Sequence, residues 1–257
     1  MNVACVQLNT AWESKPANHA KVETLLAVAE VPAGSLVLLP EMFATGFSMN
    51  VAALTDSYTH ETERFLARLA SRFGVHVLGG LVTTGADAKG RNEAVAVGPD
   101  GRELARYCKL HPFSYAGENS RYTPGSNVVT FPWREFTVAP FICYDLRFPE
   151  VFRHAVKRGA QLFAVLANWP APREEHWVAL LKARAIETQA FGAGVNRCGR
   201  DPAHSYSGRS MVVDPRGVVL ADAGDRETVI SADVDLNSLL AYRREFPALD
   251  DMRGDLP

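Results

Sequence analysis

No two of the four cysteines, Cys5, Cys108, Cys143 and Cys198, stand in C-x-x-C spacing, and the seven histidines are scattered. The chain therefore offers no zinc-type ligand cluster, and reduced thiols in a cytoplasmic protein are the simplest expectation. A Gly-rich phosphate loop of the G-x-G-x-x-G or P-loop type is also missing, so neither a metal nor a cofactor is expected. No apolar run approaches the length of a membrane span, and the opening Met-Asn-Val-Ala-Cys-Val-Gln-Leu has neither a basic n-region nor a long apolar h-region. A soluble protein with no membrane partner is expected. Charge of one sign is not in excess either: 27 Lys and Arg face 29 Asp and Glu, a net charge of -2. That balance gives no bulk electrostatic reason to bind nucleic acid. Short repeats, low-complexity tracts and flexible linkers are absent.

What is present is an apolar, helix-and-strand pattern. With 47% hydrophobic content over 257 residues, the chain can bury a large core, and it reads as a single unit over 1–257. Val3 to Leu8 reads as a strand and Pro16 to Glu30 as a helix, since Val22, Leu25, Leu26 and Ala29 recur at helical spacing. Ser35 to Leu39 is a continuous apolar strand suited to the middle of a covered sheet. Glu61 to Phe73 puts Phe65, Leu66, Leu69 and Phe73 on one helical face, with Gly74 just past its end. Strands follow at Val75 to Thr83, Asn92 to Val97, Arg102 to Tyr107 and Thr137 to Ile142. Pro149 to Arg158 and Pro172 to Gln189 read as helices, flanking a strand over Gln161 to Leu166. Further strands are expected near Ala193 to Asn196, Ser210 to Val213, Val218 to Ala221 and Thr228 to Val234. The stretch 236–257 reads as a C-terminal tail packing on the surface or on a partner subunit. Strand–helix–strand order occurs early, ending at Glu41, and again late, ending at Asn168. This pattern predicts one layered α/β unit with helices on both faces of its sheets.

Three reactive groups share one situation. Glu41 in Leu-Leu-Pro-Glu-Met-Phe, Lys109 in Tyr-Cys-Lys-Leu-His-Pro and Cys143 in Ile-Cys-Tyr-Asp-Leu-Arg-Phe-Pro each stand where an apolar strand stops. In open α/β sheets that carboxyl edge is where ligands bind, and a nearby helix N-terminus favours a thiolate. Each residue has a plainer reading. A lone cysteine is most often a small buried hydrophobe, while Glu41, Lys109 and Glu118 read singly as solvated loop or surface charges. The joint pattern favours a site. Asp145 is expected to cap the helix that follows, and His111 offers a Cys–His alternative without a matching partner.

The ordered set Glu41, Lys109, Cys143 resembles the nitrilase superfamily of carbon–nitrogen hydrolases. Gly117-Glu118, Leu181-Lys-Ala-Arg-Ala-Ile-Glu-Thr-Gln189, Val195-Asn-Arg197 and Asp214-Pro-Arg-Gly217 extend the likeness from Val3 to Val234. The resemblance implies an αββα sandwich that pairs into a homodimer through its helical faces. It also implies Cys143 as nucleophile, Glu41 as general base with a pKa raised from about 4.3 by burial, and Glu118 as an orienting group. Lys109 and the backbone N–H of Tyr144 would face the developing oxyanion, each such donor being worth about 3 kcal/mol.

Glu41-Met-Phe-Ala-Thr-Gly-Phe47, Cys143 to Pro149 and Asn168-Trp-Pro-Ala-Pro-Arg173 resemble most the bacterial omega-amidases. That branch hydrolyses the terminal amide of 2-oxoglutaramate and related dicarboxylate monoamides. Such a small-molecule substrate needs a cation at its far end, for which Arg147 and Arg173 are the candidates, with Phe43, Phe47 and Trp169 as pocket walls or as core. The same triad would serve an N-carbamoyl amino-acid amidohydrolase or another short-chain amidase. A catalytically silent binding protein on the same fold is the alternative of another class.

Overall fold

The computed structural model describes residues 1–253. In chain order the first half forms β1 (Asn2–Gln7), α1 (Lys15–Ala29), β2 (Leu36–Leu38), α2 (Val51–Leu54), α3 (Glu61–Phe73), β3 (His76–Thr84), β4 (Gly90–Val97) and β5 (Glu103–Cys108). The second half adds α4 (Glu118–Arg121), β6 (Phe131–Trp133), β7 (Phe136–Ile142), α5 (Pro149–Lys157), β8 (Leu162–Ala167), α6 (Glu174–Thr188) and β9 (Phe191–Asn196). It closes with β10 (Cys198–Arg200), β11 (Ser205–Ser207), β12 (Met211–Val213), β13 (Val219–Asp222), β14 (Thr228–Asp233) and α7 (Leu236–Glu245).

Two six-stranded sheets result, ordered β14-β1-β2-β3-β4-β5 and β13-β12-β9-β8-β7-β6. Each has three parallel strands, β1-β2-β3 in one and β7-β8-β9 in the other, joined by helical crossovers and flanked by antiparallel neighbours. Period-2 alternation explains how the sheets stack. Val3, Cys5, Leu36 and Leu38 point into the core shared with the second sheet. Ala4, Val6, Val37 and Leu39 point the other way, onto α1 and α3. On the far side α5 and α6 cover the second sheet through Phe152, Trp177 and Leu181. The layered α/β unit expected from the pattern forms, as the sandwich that the resemblance implies.

Local chemistry sets the ends of these elements. α3 stops at Gly74, whose φ of +63° is left-handed and whose N–H returns to Ala70 O. Pro149 opens α5, where its missing N–H costs nothing. The helix expected from Pro172 begins two residues later, because Ala171–Arg173 forms a separate 3-10 turn. The tail at 236–257 carries α7, capped by Asp235 accepting from Asn237 N and Ser238 N. The last four residues of that tail lie outside the described ones. Among the described residues no helix is long and apolar enough to cross a membrane.

One close approach bears on the site. A Cβ at Gly80 of β3 would stand 2.6 Å from Met42 N, 2.7 Å from Glu41 Cα and 2.7 Å from Pro40 O. Only glycine lets this strand lie against the turn that carries Glu41. Gly80→Ala is expected to lower folding stability by about 1–3 kcal/mol, since backbone must move on both sides. Urea unfolding checks this; a shift within about 0.5 kcal/mol of zero would show that the turn yields freely.

Candidate active site

The three strand ends anticipated from sequence converge. Past β2, the turn at Glu41 to Thr45 places Glu41 at 0% exposure, with Met42 at a φ of +45°. Lys109 follows β5 directly, its N–H held by Asn92 O, and its side chain is buried. β7 delivers Cys143 into a 3-10 turn, Cys143–Arg147, at a φ of +47°. For a residue with a side chain, that left-handed backbone is strained, and it throws the thiol out of the strand line.

A single ammonium organises the acids. Lys109 Nζ donates to Glu41 Oε1 at 2.9 Å and to Glu118 Oε2 at 2.8 Å. Asn92 Nδ2, from β4, bridges the same pair at 2.7 Å and 2.9 Å. The second oxygen of Glu41 accepts from Asn168 N at 2.9 Å, while Asn168 Nδ2 donates to Glu41 O at 2.7 Å. Phe113 N donates to Glu118. Neither carboxylate is left to solvent, and neither lacks donors.

Electrostatics follow from this arrangement. Burial works against the Lys109 charge, but Glu118 and then Glu41 outweigh it and hold its pKa well above the usual lysine range. Burial, and then the charge of Glu41, push the Cys143 thiol well above the ordinary thiol range; the opposing pull of Lys109 and the Asn168 N–H is smaller. The N-terminus of α5 does not lie beside this sulfur, because α5 begins only at Pro149, beyond the 3-10 turn.

Cys143, Glu41 and Lys109 open onto one cavity walled by Phe47, Phe113, Tyr144, Trp169 and Tyr206. Arg147 and Arg173 line its polar side. The Arg147 guanidinium lies 4.9 Å from the Trp169 ring centroid, and its Nη2 donates to His176 Nδ1 at 3.2 Å. Arg173 lies over Phe113 at 5.5 Å. Among the described residues neither arginine is in an ion pair, so each charge is available to an anion.

Phe43 is a correction. It is fully buried on the outer side of the first sheet, against His19 and Phe65 at ring distances of 5.9 and 6.0 Å, and does not line the cavity. The left-handed turn at Met42 sends it opposite to Glu41. Asp145 does not cap α5; its carboxylate turns back to Ile142 N, Tyr107 and His111. His111 is bonded to that carboxylate and stacked on Phe148 at 3.8 Å, outside the cavity lining, so it forms no dyad with Cys143.

Asn92, Asn168, Phe113, His204 and Tyr206 complete the site without having been singled out. Asn168 carried a signal, because it ends the second strand–helix–strand unit as Glu41 ends the first. Asn92 carried none, lying inside a strand. Among the described residues no three His, Cys, Asp or Glu side chains group as metal ligands.

The family model for Carbon-nitrogen hydrolase matches residues 2–244. The chain is 37% identical over 255 residues to the omega-amidase YafV of Yersinia enterocolitica, covering 98% of this chain and 96% of the other. To the 2-oxoglutaramate amidase of Bacillus subtilis it is 32% identical over 255 residues, covering 99% and 98%. The solved structure of a CN-hydrolase superfamily protein from Xanthomonas campestris, which holds an arsenic adduct in its active site, superposes with a TM-score of 0.93 at 31% identity, covering 100% of this chain and 98% of that one. With its whole described fold shared and its sequence matched almost end to end, this chain belongs to the carbon–nitrogen hydrolase family.

Proposed function

We propose that the protein is a thiol-dependent amidase that cleaves the terminal amide of a short dicarboxylate monoamide such as 2-oxoglutaramate or succinamate. The observation that carries this reading is the buried Lys109 ammonium bridging Glu41 and Glu118 beside Cys143, in a cavity lined by two arginines that form no ion pair among the described residues. The names of the relatives from Yersinia enterocolitica and Bacillus subtilis point to the same substrate class.

In this reading the Cys143 Sγ–H passes its proton to Glu41 as sulfur attacks the amide carbon. A raised thiol pKa requires that base, because sulfur does not ionise by itself near neutrality. The carbonyl oxygen becomes an oxyanion facing Lys109 Nζ and the N–H of Tyr144, each donor contributing about 3 kcal/mol. Lys109 suits this task because its flanking acids hold it charged. Collapse of the tetrahedral species breaks the C–N bond, and the proton held on Glu41 leaves with ammonia. Water, deprotonated by Glu41, then attacks the thioester; the acid product departs and the thiol regains its proton. Glu118 and Asn92 orient Lys109 and Glu41 throughout. Arg147 and Arg173 receive the distal carboxylate, with Phe47 and Trp169 walling the chain between.

Four outcomes test this. Purified protein is expected to release ammonia from 2-oxoglutaramate and succinamate in preference to an N-carbamoyl amino acid or a simple nitrile, and Cys143→Ala is expected to abolish that turnover with the fold intact by circular dichroism. Turnover of the carbamoyl compound alone would overturn the substrate while keeping the triad. Replacing Arg147 or Arg173 by Ala is expected to raise KM for these amides by about tenfold or more, as loss of a charge-assisted contact does, and to leave neutral amides little affected. Equal KM changes for charged and neutral amides would sink the arginine assignment. Because the Glu41 charge raises the thiol pKa, Glu41→Gln is expected to move the Cys143 thiolate titration, read at 240 nm against a Cys143→Ser control, to lower pH. A midpoint that stays or rises would show that Glu41 does not act on this sulfur.

A further inference from the structure

We propose that Asp145 is the positioning residue that sets Lys109 against Cys143; this rests on the reading of those two residues as oxyanion donor and nucleophile. Lys109 follows a strand of the first sheet and Cys143 a strand of the second, and among the described residues no strand pairing joins the two sheets. Their separation is therefore fixed by side chains that cross between sheets. Asp145 is one of these, and it is fully buried with four donors on its two oxygens. Oδ1 accepts from His111 N at 2.9 Å and lies 2.9 Å from His111 Nδ1. Oδ2 accepts from the Tyr107 hydroxyl at 2.7 Å and from Ile142 N at 3.0 Å.

The sequence positions of those partners give the arrangement its meaning. Tyr107 and His111 stand two residues either side of Lys109, and Ile142 immediately precedes Cys143. One carboxylate thus grips both flanks of the lysine and the residue before the thiol. All four contacts suit a carboxylate, which accepts at both oxygens, and an amide in its place would turn an NH2 group towards donors. His111 is held from its other side by the Phe148 ring, which belongs to the same loop that leads into α5. Asp145 does not line the cavity, so it acts through Lys109 and Cys143 and not on substrate.

The test is Asp145→Asn in the full chain. With the oxyanion donor displaced by a fraction of an ångström to about 1 Å, kcat is expected to fall by about 10²-fold while KM for the amide changes little. A folded variant with unchanged kcat, whatever its Tm, would overturn the proposal. The double variant Tyr107→Phe with His111→Phe, which also serves should Asp145→Asn not fold, removes two donors while keeping both rings and the carboxylate. It is expected to lower kcat by roughly tenfold or more. In this variant, which keeps the Asp145 charge, the Cys143 thiolate titration is expected to move to higher pH, because the attraction of Lys109 weakens. Wild-type kcat and titration in it would equally overturn the proposal. The titration needs no substrate. Absence of amide turnover in the wild type would therefore count against the proposed function, while this second readout still decides the role of Asp145.

Discussion

The Lys109 ammonium, buried between Glu41 and Glu118, is the interaction on which the site depends. Removing three charges from water costs several kcal/mol for each ion, and attraction offsets this only when every remaining lone pair and proton is matched. The carboxylates meet that condition, while Lys109 keeps one proton unbonded and Asn92 Oδ1 and Asn168 Oδ1 have no hydrogen-bond partner among the described residues. Asn92 bridges the two acids, Asn168 takes the free oxygen of Glu41, and Phe113 N takes Glu118. Such a cluster tolerates little displacement, because a lost partner leaves a charge stranded in a low-dielectric interior. The fold is accordingly tight around it: Gly80 touches the Glu41 turn, and Cys143 is held in a left-handed conformation at the end of β7.

Much of this was readable from the chain. Glu41, Lys109 and Cys143 each stand at a strand end, which pointed to a site, but β5 runs antiparallel to β4 and Cys143 belongs to the other sheet, so their convergence was carried by the resemblance and not by strand-end geometry. Strand and helix positions were accurate wherever periodicity was strong, as in α3, whose bounds coincide with the expected Glu61 to Phe73. Elements with weak patterns were not seen. The hairpin of β10 and β11 is two three-residue strands of largely polar composition, and yet it brings His204 and Tyr206 to the cavity. α7, mixed in character along its length, read as tail.

The errors have a common physical origin. Phe43 was a wall candidate because it stands two residues from Glu41, but one left-handed residue between them reverses its direction. Asp145 was a helix cap because it precedes Pro149, but the intervening 3-10 turn faces it inward to Tyr107 and His111 on either side of Lys109 and to Ile142 at the end of β7. A helix N-terminus was expected near the Cys143 thiol, but α5 begins beyond the 3-10 turn, and burial and a neighbouring carboxylate push the thiol pKa up. Spacing along a chain locates a residue; a single backbone torsion decides what it meets.

The two sheets repeat one plan, a strand–helix–strand–helix–strand half with antiparallel strands added at the rims. Glu41 and Asn168 stand just past the second parallel strand of their respective halves, and they are bonded to each other. The cavity consequently has two matched pedestals, one bearing an acid and the other the neutral amide that steadies it. Similar scaffolding with unlike tips makes the centre asymmetric in charge while nearly symmetric in support. A redesign can therefore alter the chemistry at one tip and keep the opposite pedestal as its mechanical reference.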